Sequence, residues 1–164
     1  MIAVGLLTVS DRAARGEYED QSGPFLAEEL KRQTDWRLLL PAVVPDDAEA
    51  IRQALLAWCD QGADLILTTG GTGFAPRDVT PEATAAVIQR PAPGIAEALR
   101  AESLKITRHA MLSRAVAGIR GRTLIINLPG SPKAVREALG VLLPILPHAL
   151  EQLLGKDEAG HRSI

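Results

Sequence analysis

The residues best suited to chemistry follow one apolar run near the middle of the sequence. Residues 63–67 are apolar except for Asp64, and a turn of sequence TTGGTG follows at residues 68–73. A short apolar run that ends in glycines is typical of a strand buried on both faces of a sheet. Because glycine permits backbone angles that side chains forbid, successive N–H groups of this turn can point into one concavity and bind an anion such as phosphate. The alternative is a tight turn without a ligand, which glycine clusters after strands often form.

Further polar groups follow the other predicted strands. The loops at residues 10–12, 45–46, 69–78 and 127–133 each come after a predicted strand, and in a parallel sheet such loops face one crevice. They supply carboxylates, hydroxyls and cations: Asp11, Asp46, Asp78, Ser10, Thr72, Ser131, Arg12, Arg77 and Lys133. The sequence therefore predicts a polar pocket that draws on all four loops.

This combination of groups suits a nucleotide whose phosphates carry magnesium. Mg²⁺ prefers one or two carboxylates together with phosphate oxygens and water. Two predicted helices start beside the loops, with Thr80 and Ser131 as N-caps, and helix N-termini attract anions. The turn is not a Walker A loop, because no Gly-Lys-Ser/Thr follows it. It is not a dinucleotide fingerprint either, because GGTG lacks the GxGxxG spacing.

Several of these residues also have a purely structural interpretation. Asp46 with Glu49 three residues later fits a capping box, in which Asp46 is only the N-cap of a helix. Asp11 can hydrogen-bond its own turn, and Arg114 can be an ordinary surface cation. Lys133 lies in a predicted first helical turn, where the helix dipole disfavours cations, and this favours an anion-binding role. The functional interpretation therefore depends on the four loops meeting in one place.

Strands and helices that alternate along the chain must position these loops. Strands are predicted at residues 2–9, 36–44, 63–67, about 115–119 and 123–128, and helices at about 25–33, 47–62, 81–89, 95–106, 134–143 and up to 154. Pro41 places the second strand nearer a sheet edge. This alternation predicts an α/β sandwich with a mostly parallel sheet. The tight turn before Thr123 allows that strand to pair antiparallel with its predecessor.

Composition limits the function classes. The 164 residues are 46% hydrophobic but only 3% aromatic, which predicts one domain at residues 1–155 with an aliphatic core, and a polar tail at 156–164. A net charge of −2, with no run of basic residues, argues against nucleic-acid and membrane partners. The single Cys59 and three separated histidines provide neither a disulfide nor a zinc motif. Residues 1–9 indicate a first strand rather than a signal peptide, so a cytoplasmic location is expected.

Five motifs resemble those of one known family, in the same order along the chain. They are Ser10-Asp11-Arg12, Pro45-Asp46, the run TTGGTGFAPRDVTPE at residues 68–82, Ser113-Arg114, and NLPGSPK at residues 127–133. The sequence resembles the MogA/MoaB family of molybdenum cofactor biosynthesis proteins, and it is similar to the G domains of gephyrin and of the plant cofactor enzyme. The resemblance covers nearly the whole chain, and its long central run is far more specific than GGTG alone.

The resemblance implies a three-layer α/β/α sandwich, a homotrimer, and transfer of an adenylyl group from Mg-ATP to molybdopterin, which yields adenylated molybdopterin and pyrophosphate. It implies that Asp46 and Asp78 are the catalytic residues and the ligands of Mg²⁺. The residues that it implies for substrate or nucleotide binding are Ser10, Asp11, Thr69, Gly70, Gly71, Thr72, Gly73, Thr80, Pro81, Glu82, Ser113, Arg114, Pro129, Gly130, Ser131 and Lys133. The downstream partner would be the enzyme that inserts molybdate into the product.

Two other functions are compatible with the same resemblance. The chain can be a paralogue that holds or delivers molybdopterin without adenylylating it, or a trimeric scaffold of the kind that the gephyrin relative suggests. The presence of both Asp46 and Asp78 favours the enzyme. The scaffold ranks last, because the sequence shows no linker or second domain that would tether a partner.

Overall fold

The fold is that of a computed structural model, and the structure describes residues 1–156. Its strands are β1 (Ala3–Val9), β2 (Arg37–Leu38), β3 (Ala42–Val44), β4 (Leu65–Thr69), β5 (Arg90–Pro91), β6 (Ala117–Arg120) and β7 (Thr123–Leu128). Its helices are α1 (Asp11–Ala14), α2 (Ser22–Gln33), α3 (Ala48–Asp60), α4 (Thr80–Val87), α5 (Pro93–Leu104), α6 (Pro132–Leu142) and α7 (Leu146–Leu153), and a 3₁₀ helix spans Arg108–Leu112. Apart from Lys156, the predicted polar tail lies outside the described residues. In this part of the chain, no helix combines the length and the apolar character needed to cross a membrane.

Within residues 1–156, seven strands form one mixed sheet in the order β2-β1-β4-β7-β6-β5, and β3 also pairs with β1. β1 pairs in parallel with β2, β3 and β4, and β4 pairs in parallel with β7. β6 runs antiparallel to both β5 and β7. Gly121 has a φ of +55° in the tight turn that reverses the chain between β6 and β7. The predicted mostly parallel sheet with one antiparallel strand is confirmed.

Two apolar clusters cover the two faces of the sheet. Leu65 and Leu67 of β4 belong to a cluster with α2, α5, α6 and α7, whereas Ile66 belongs to a cluster with α3 and α4. Because successive side chains of a strand point to opposite faces, a strand covered on both faces requires the continuous apolar run that the sequence shows. The three-layer α/β/α sandwich is thereby confirmed.

The two sheet edges differ from the predicted elements. The predicted strand at residues 36–44 is two short strands, β2 and β3, on either side of Pro41, and both pair with β1. Proline has no N–H to donate to a strand ladder, so it interrupts the pairing. At the other edge, the sequence Pro-Ala-Pro-Gly at residues 91–94 predicts a break between helices, which the structure shows between α4 and α5, and within this break β5 pairs briefly with β6. A proline is tolerated at this position because β5 is an edge strand.

The predicted N-cap of α3 is wrong by one residue. The carboxylate of Asp47, not of Asp46, accepts a hydrogen bond from the Ala50 N–H, at 2.8 Å. Asp46 instead accepts from the N–H of Asp11 at 2.8 Å. Because Asp47 satisfies the helix terminus, the Asp46 side chain is left for the loops at the carboxyl ends of the strands.

Of the two other predicted caps, one is confirmed and one is wrong. The Ser131 hydroxyl accepts from the Ala134 N–H at 3.2 Å and caps α6. Val79 precedes α4 without a side-chain cap, and the Thr80 hydroxyl donates to the Gly70 carbonyl at 3.0 Å. Thr80 therefore joins the start of α4 to the glycine turn, which is a tertiary contact that a capping pattern does not reveal.

Asn127 of β7 holds the sheet to α4 and to the segment before β6, and we expect its replacement to destabilise the fold. Its Nδ2 donates to the hydroxyls of Thr68 and Thr84, at 3.0 and 2.9 Å, and its Oδ1 accepts from the Val116 N–H at 3.2 Å. The side chain is 1% exposed, so Asn127→Ala leaves buried polar groups without partners. We expect the free energy of unfolding in urea to fall by about 2–4 kcal/mol.

Thr123→Val provides the control at the other end of β7. The Thr123 hydroxyl donates one hydrogen bond, to the Ala63 carbonyl at 2.6 Å, so its loss should lower the free energy of unfolding by about 1 kcal/mol. An Asn127→Ala protein no less stable than the Thr123→Val protein would contradict this account of the strand.

Candidate active site

The predicted site loops meet at the end of the sheet that is formed by the carboxyl ends of β1, β3, β4 and β7. Because β6 runs the opposite way, Ser113 and Arg114, which precede it, reach the same end of the sheet. The glycine turn lies at the centre. The Gly70 N–H donates to the Leu128 carbonyl at 3.3 Å, and with φ at +92° a side chain on Gly70 would collide with the Val9 carbonyl. Gly70 therefore packs between the ends of β1 and β7, where a side chain does not fit.

Asp11 and Asp46 bind each other's backbone across two loops. Asp46 Oδ2 accepts from the Asp11 N–H at 2.8 Å, and Asp11 Oδ1 accepts from the Asp46 N–H at 3.0 Å. Arg77, from the loop after β4, donates through Nε and Nη2 to the two carboxylate oxygens of Asp11, at 2.9 Å each. A bidentate pair of this kind fixes geometry as well as charge. The loops after β1, β3 and β4 are therefore joined around Asp46.

The surroundings shift the pKa values of these two carboxylates in opposite directions. Hydrogen bonds from Arg77 lower the pKa of Asp11 from its ordinary value of 3.8 to about 2. The pKa of Asp46 is raised, chiefly by burial and also by the negative charges of Asp11 and Asp78. A carboxylate destabilised by burial and by like charges gains from a bound cation. Asp46 is thus suited to hold positive charge.

Arg77→Gln is expected to raise the pKa of Asp11 towards 3.8, because it removes the main stabilising partner of that carboxylate. A lowered carboxyl pKa stabilises the fold above the unfolded value, and this contribution disappears as the pH falls through the folded value. The wild-type pair should therefore persist to about pH 2, whereas the variant should protonate near pH 3.8. A carboxyl ¹³C titration of Asp11 measures the change.

Arg12→Gln is the matched control for this titration. The Arg12 guanidinium lies 5.2 Å from the centre of the Tyr18 ring, so its removal should leave the pKa of Asp11 where it is. An unchanged Asp11 titration in Arg77→Gln would show that Arg77 does not control this carboxylate.

Asp46 and Asp78 lie on the glycine turn, one beside Gly71 and the other beside Gly73. A side-chain carbon built on Gly71 would lie 3.1 Å from Asp46 Oδ1, and one built on Gly73 would lie 2.9 Å from Asp78 Oδ2. Asp78 Oδ2 also accepts from the Ala75 N–H at 3.0 Å, within the loop after the turn. The structure therefore brings together the two carboxylates and the glycines that the sequence singles out.

The donor set fits a magnesium ion only if phosphate completes it. Among residues 1–156, no group of three or more His, Cys, Asp and Glu side chains could hold a metal ion. Asp46 Oδ2 accepts from the Asp11 N–H, whereas Asp46 Oδ1 accepts no hydrogen bond from this part of the chain. Two carboxylates with phosphate oxygens and water are a usual coordination for Mg²⁺. Asp46 and Asp78 are the residues that would hold it.

Arg114 lies against the loop that carries Asp78, and its guanidinium contacts protein oxygens. Nε donates to the Gly73 carbonyl at 2.8 Å, Nη2 donates to the Asp78 carbonyl at 2.7 Å, and Nη1 pairs with the Glu82 carboxylate. The hydrogen bond from Arg114 lowers the pKa of Glu82. Arg114 and Glu82 lie at the predicted site. Their observed contacts are with each other and, for Arg114, with the loop that carries Asp78.

The remaining predicted residues take varied places around the turn. Thr69, Thr72, Thr80 and Pro81 are buried, Pro129 is half-buried, and Gly130, Ser131 and Lys133 are exposed. The Ser10 hydroxyl accepts from the Ala13 N–H at 3.2 Å and caps α1. The hydroxyls of Ser10 and Ser131 therefore serve helix termini that open at the site.

Two cavities lie on either side of the glycine turn. One, of about 190 Å³, is lined by Ser10, Thr69, Gly70, Gly130 and further polar residues. The other, of about 270 Å³, includes Thr72, Gly73, Ser113 and Pro129 and is closed by mostly apolar residues of α5, the 3₁₀ helix and α6. The first cavity has a mixed lining that includes the Asp20 carboxylate, and the second, more apolar one suits a flat ring system.

A hydrogen-bonded group beside the smaller cavity was not predicted from the sequence. Asp20 accepts from the Thr8 hydroxyl at 2.6 Å and from the Gly23 N–H at 3.1 Å. The Ser22 hydroxyl donates to the Gly130 carbonyl at 2.6 Å. The polar stretch at residues 20–23 is the signal that could have suggested it. The apolar wall from α5 and α6 has no comparable signal, because its residues resemble ordinary core positions.

The fold and site define an α/β protein with a glycine turn between two carboxylates, and comparison with known proteins identifies its family. The family described as "probable molybdopterin binding domain" matches residues 5–148. The molybdopterin adenylyltransferase of Helicobacter pylori strain J99 is 46% identical over 160 residues, which cover 94% of this chain and 89% of that protein. Gephyrin of Dictyostelium discoideum is 48% identical over 98% of this chain, which spans only 24% of gephyrin's length.

Solved structures agree with these sequence relationships. The crystal structure of the molybdopterin biosynthesis enzyme MoaB from Thermus thermophilus has a TM-score of 0.88 and 51% identity, over 94% of this chain and 98% of that chain. The chain therefore belongs to the MogA/MoaB family of molybdenum cofactor biosynthesis proteins, as the sequence motifs predict.

Proposed function

We propose that this chain is a molybdopterin adenylyltransferase, which transfers AMP from Mg-ATP to molybdopterin and releases pyrophosphate. The observation that carries the proposal is the position of Asp46 and Asp78, both against the glycines of one anion-binding turn. Relatives that bear the name molybdopterin adenylyltransferase support it, with 44–48% identity over most of this chain.

The substrates would bind on the two sides of the turn. The N–H groups of residues 71–73 and the N-termini of α4 and α6 attract the phosphates, and Lys133 adds a positive charge at the start of α6. The apolar cavity between α5 and α6 suits the pterin ring of molybdopterin, whose terminal phosphate would then point towards the turn. This arrangement places the attacking phosphate beside the α-phosphate of ATP.

The reaction is a displacement at phosphorus. An oxygen of the molybdopterin phosphate forms a bond to the α-phosphorus of ATP, the bond to the bridging oxygen breaks, and pyrophosphate leaves with the electron pair. When bound, Mg²⁺ would neutralise phosphate charge in this step. Asp46 and Asp78 would hold the ion and orient the phosphates, and neither would act as a covalent nucleophile. The rate gain would come from positioning and from charge neutralisation.

The second candidate function is a paralogue that holds or delivers molybdopterin without efficient catalysis. The 51% identity to the Thermus thermophilus MoaB, a relative whose name does not include adenylyl transfer, is the observation behind this candidate. Incubation of the purified protein with molybdopterin and Mg-ATP separates the two. The adenylyltransferase releases pyrophosphate and accumulates adenylated molybdopterin, whereas a carrier binds the pterin and releases none.

The same proposal covers the oligomeric state, the domain, the location and the downstream partner of the protein. We infer a homotrimer, a single domain at residues 1–155, a cytoplasmic location, and delivery of the product to the enzyme that inserts molybdate. The trimer, the location and the downstream enzyme rest on the family resemblance, and the single domain rests on length and composition. A trimeric scaffold without catalysis remains the third candidate, and trimer formation without pyrophosphate release or pterin binding would favour it.

A further inference from the structure

We propose that Arg114 is a positioning residue, which closes the loop at residues 73–78 and thereby orients the Asp78 carboxylate. The loop starts at the glycine turn and ends at Asp78, just before α4. Residues 74–77 are exposed, with Phe74 67% exposed, so apolar packing does little to hold this segment. Its order must come from hydrogen bonds.

Arg77 binds Asp11 from the middle of the loop, and Thr80 binds the carbonyls of Gly70 and Gly71 just outside it. A single guanidinium adds bonds to both ends of the loop itself. Arg114 donates to the Gly73 carbonyl at one end and to the Asp78 carbonyl at the other, at 2.8 and 2.7 Å. Its own N–H donates to the Thr72 carbonyl at 2.8 Å. The bonds inside the loop are few: the Asp78 N–H donates to the Ala75 carbonyl at 2.9 Å, and the Ala75 N–H donates to Asp78 Oδ2 at 3.0 Å.

The remaining guanidinium nitrogen pairs with Glu82, in the first turn of α4. Nε, Nη1 and Nη2 each donate to a protein oxygen, and the Glu82 carboxylate among these acceptors pairs the Arg114 charge within the protein. A planar guanidinium can serve three acceptors in fixed directions, whereas a lysine ammonium is a single flexible point. Lysine therefore keeps the charge and loses the geometry.

The consequence for catalysis follows through Asp78. Its carboxylate accepts from Ala75 within the same loop and lies beside Gly73, so a loop that keeps only its Arg77 and Thr80 contacts would hold this carboxylate less firmly on the glycine turn. This inference rests on the proposed adenylyl transfer for its effect on rate. Its structural part, the closing of the loop, does not depend on that function.

The test compares Arg114→Lys with Arg120→Lys. Arg120 lies at the far end of β6 and donates to the Val87 carbonyl at 3.1 Å, so its replacement removes a comparable bond away from the site. Hydrogen exchange is measured at the Ala75 and Asp78 amides without substrates, and kcat and KM for Mg-ATP are measured with molybdopterin. In Arg114→Lys we expect exchange at the two amides to rise about tenfold.

We also expect kcat of Arg114→Lys to fall about 10- to 100-fold, while KM for Mg-ATP changes less than about threefold, because the loss concerns geometry rather than binding. Arg120→Lys should change neither quantity. Unchanged exchange in Arg114→Lys, or faster exchange with the kcat of the wild type, would overturn the inference. If the wild-type protein transfers no adenylyl group, the proposed function fails, and the exchange measurement alone then decides whether Arg114 closes the loop.

Discussion

Asp78→Asn is expected to lower the rate of adenylyl transfer by about 1,000-fold or more, because it removes one of the two charges that would hold magnesium against the phosphates. Asparagine has nearly the same shape, and its side-chain oxygen can still accept from the Ala75 N–H, as Asp78 Oδ2 does at 3.0 Å. The loop and the pterin cavity should therefore remain intact. Pyrophosphate release with molybdopterin and Mg-ATP measures the rate, and molybdopterin binding is measured separately.

Asp64→Asn is the matched control. Asp64 lies just before β4, at the amino ends of the parallel strands and away from the site, where its Oδ2 accepts from the Ala3 N–H at 2.9 Å. The same change of charge there should leave transfer at the wild-type rate. Equal activity of Asp78→Asn and Asp64→Asn would end the proposal that Asp78 is catalytic.

Gly71→Ala is expected to reduce transfer by more than about 100-fold and to lower the free energy of unfolding by about 2–3 kcal/mol. Gly71 has a φ of +68°, which side chains rarely adopt. A methyl group there would collide with the Thr80 hydroxyl and lie 3.1 Å from Asp46 Oδ1. The substitution would therefore push α4 and Asp46 away from the turn, which affects both the fold and the site.

Gly121→Ala separates the strain of the backbone from the collision. Gly121 also has a positive φ, at +55°, but a side-chain carbon there would meet no heavy atom within 4 Å. We expect a loss of about 1 kcal/mol from backbone strain alone and unchanged transfer. Chemical denaturation and pyrophosphate release are measured for both variants. A Gly71→Ala protein that matches Gly121→Ala in both would contradict the described packing of the turn.

The sequence predicts the parts of the fold that depend on local pattern. The buried strand β4 is detectable because both of its faces are covered, which favours apolar residues on both. It lies at Leu65–Thr69 rather than at residues 63–67, and its last two residues are buried threonines. The glycine turn is detectable because Gly70 and Gly71 occupy backbone angles that side chains rarely adopt. The meeting of the loops follows from the parallel sheet.

Contacts between distant residues are what the sequence could not provide. Two adjacent aspartates precede α3, and local pattern cannot decide which one caps it, because the partner that holds Asp46 is Asp11, 35 residues away. Similarly, Arg114 is recognisable as part of a motif, but its carbonyl partners lie in a loop that only the folded chain brings beside it.

The central claim is that the two carboxylates on the glycine turn hold magnesium for a nucleotide. A crystal structure of the protein with Mg²⁺ and an ATP analogue whose α- and β-phosphorus atoms are joined by a methylene group tests it most directly. We predict a metal ion about 2.1 Å from a carboxylate oxygen of Asp46 and from one of Asp78, with the phosphates against the N–H groups of residues 71–73. A nucleotide whose phosphates lie away from this turn, with neither carboxylate on the metal, would contradict the claim.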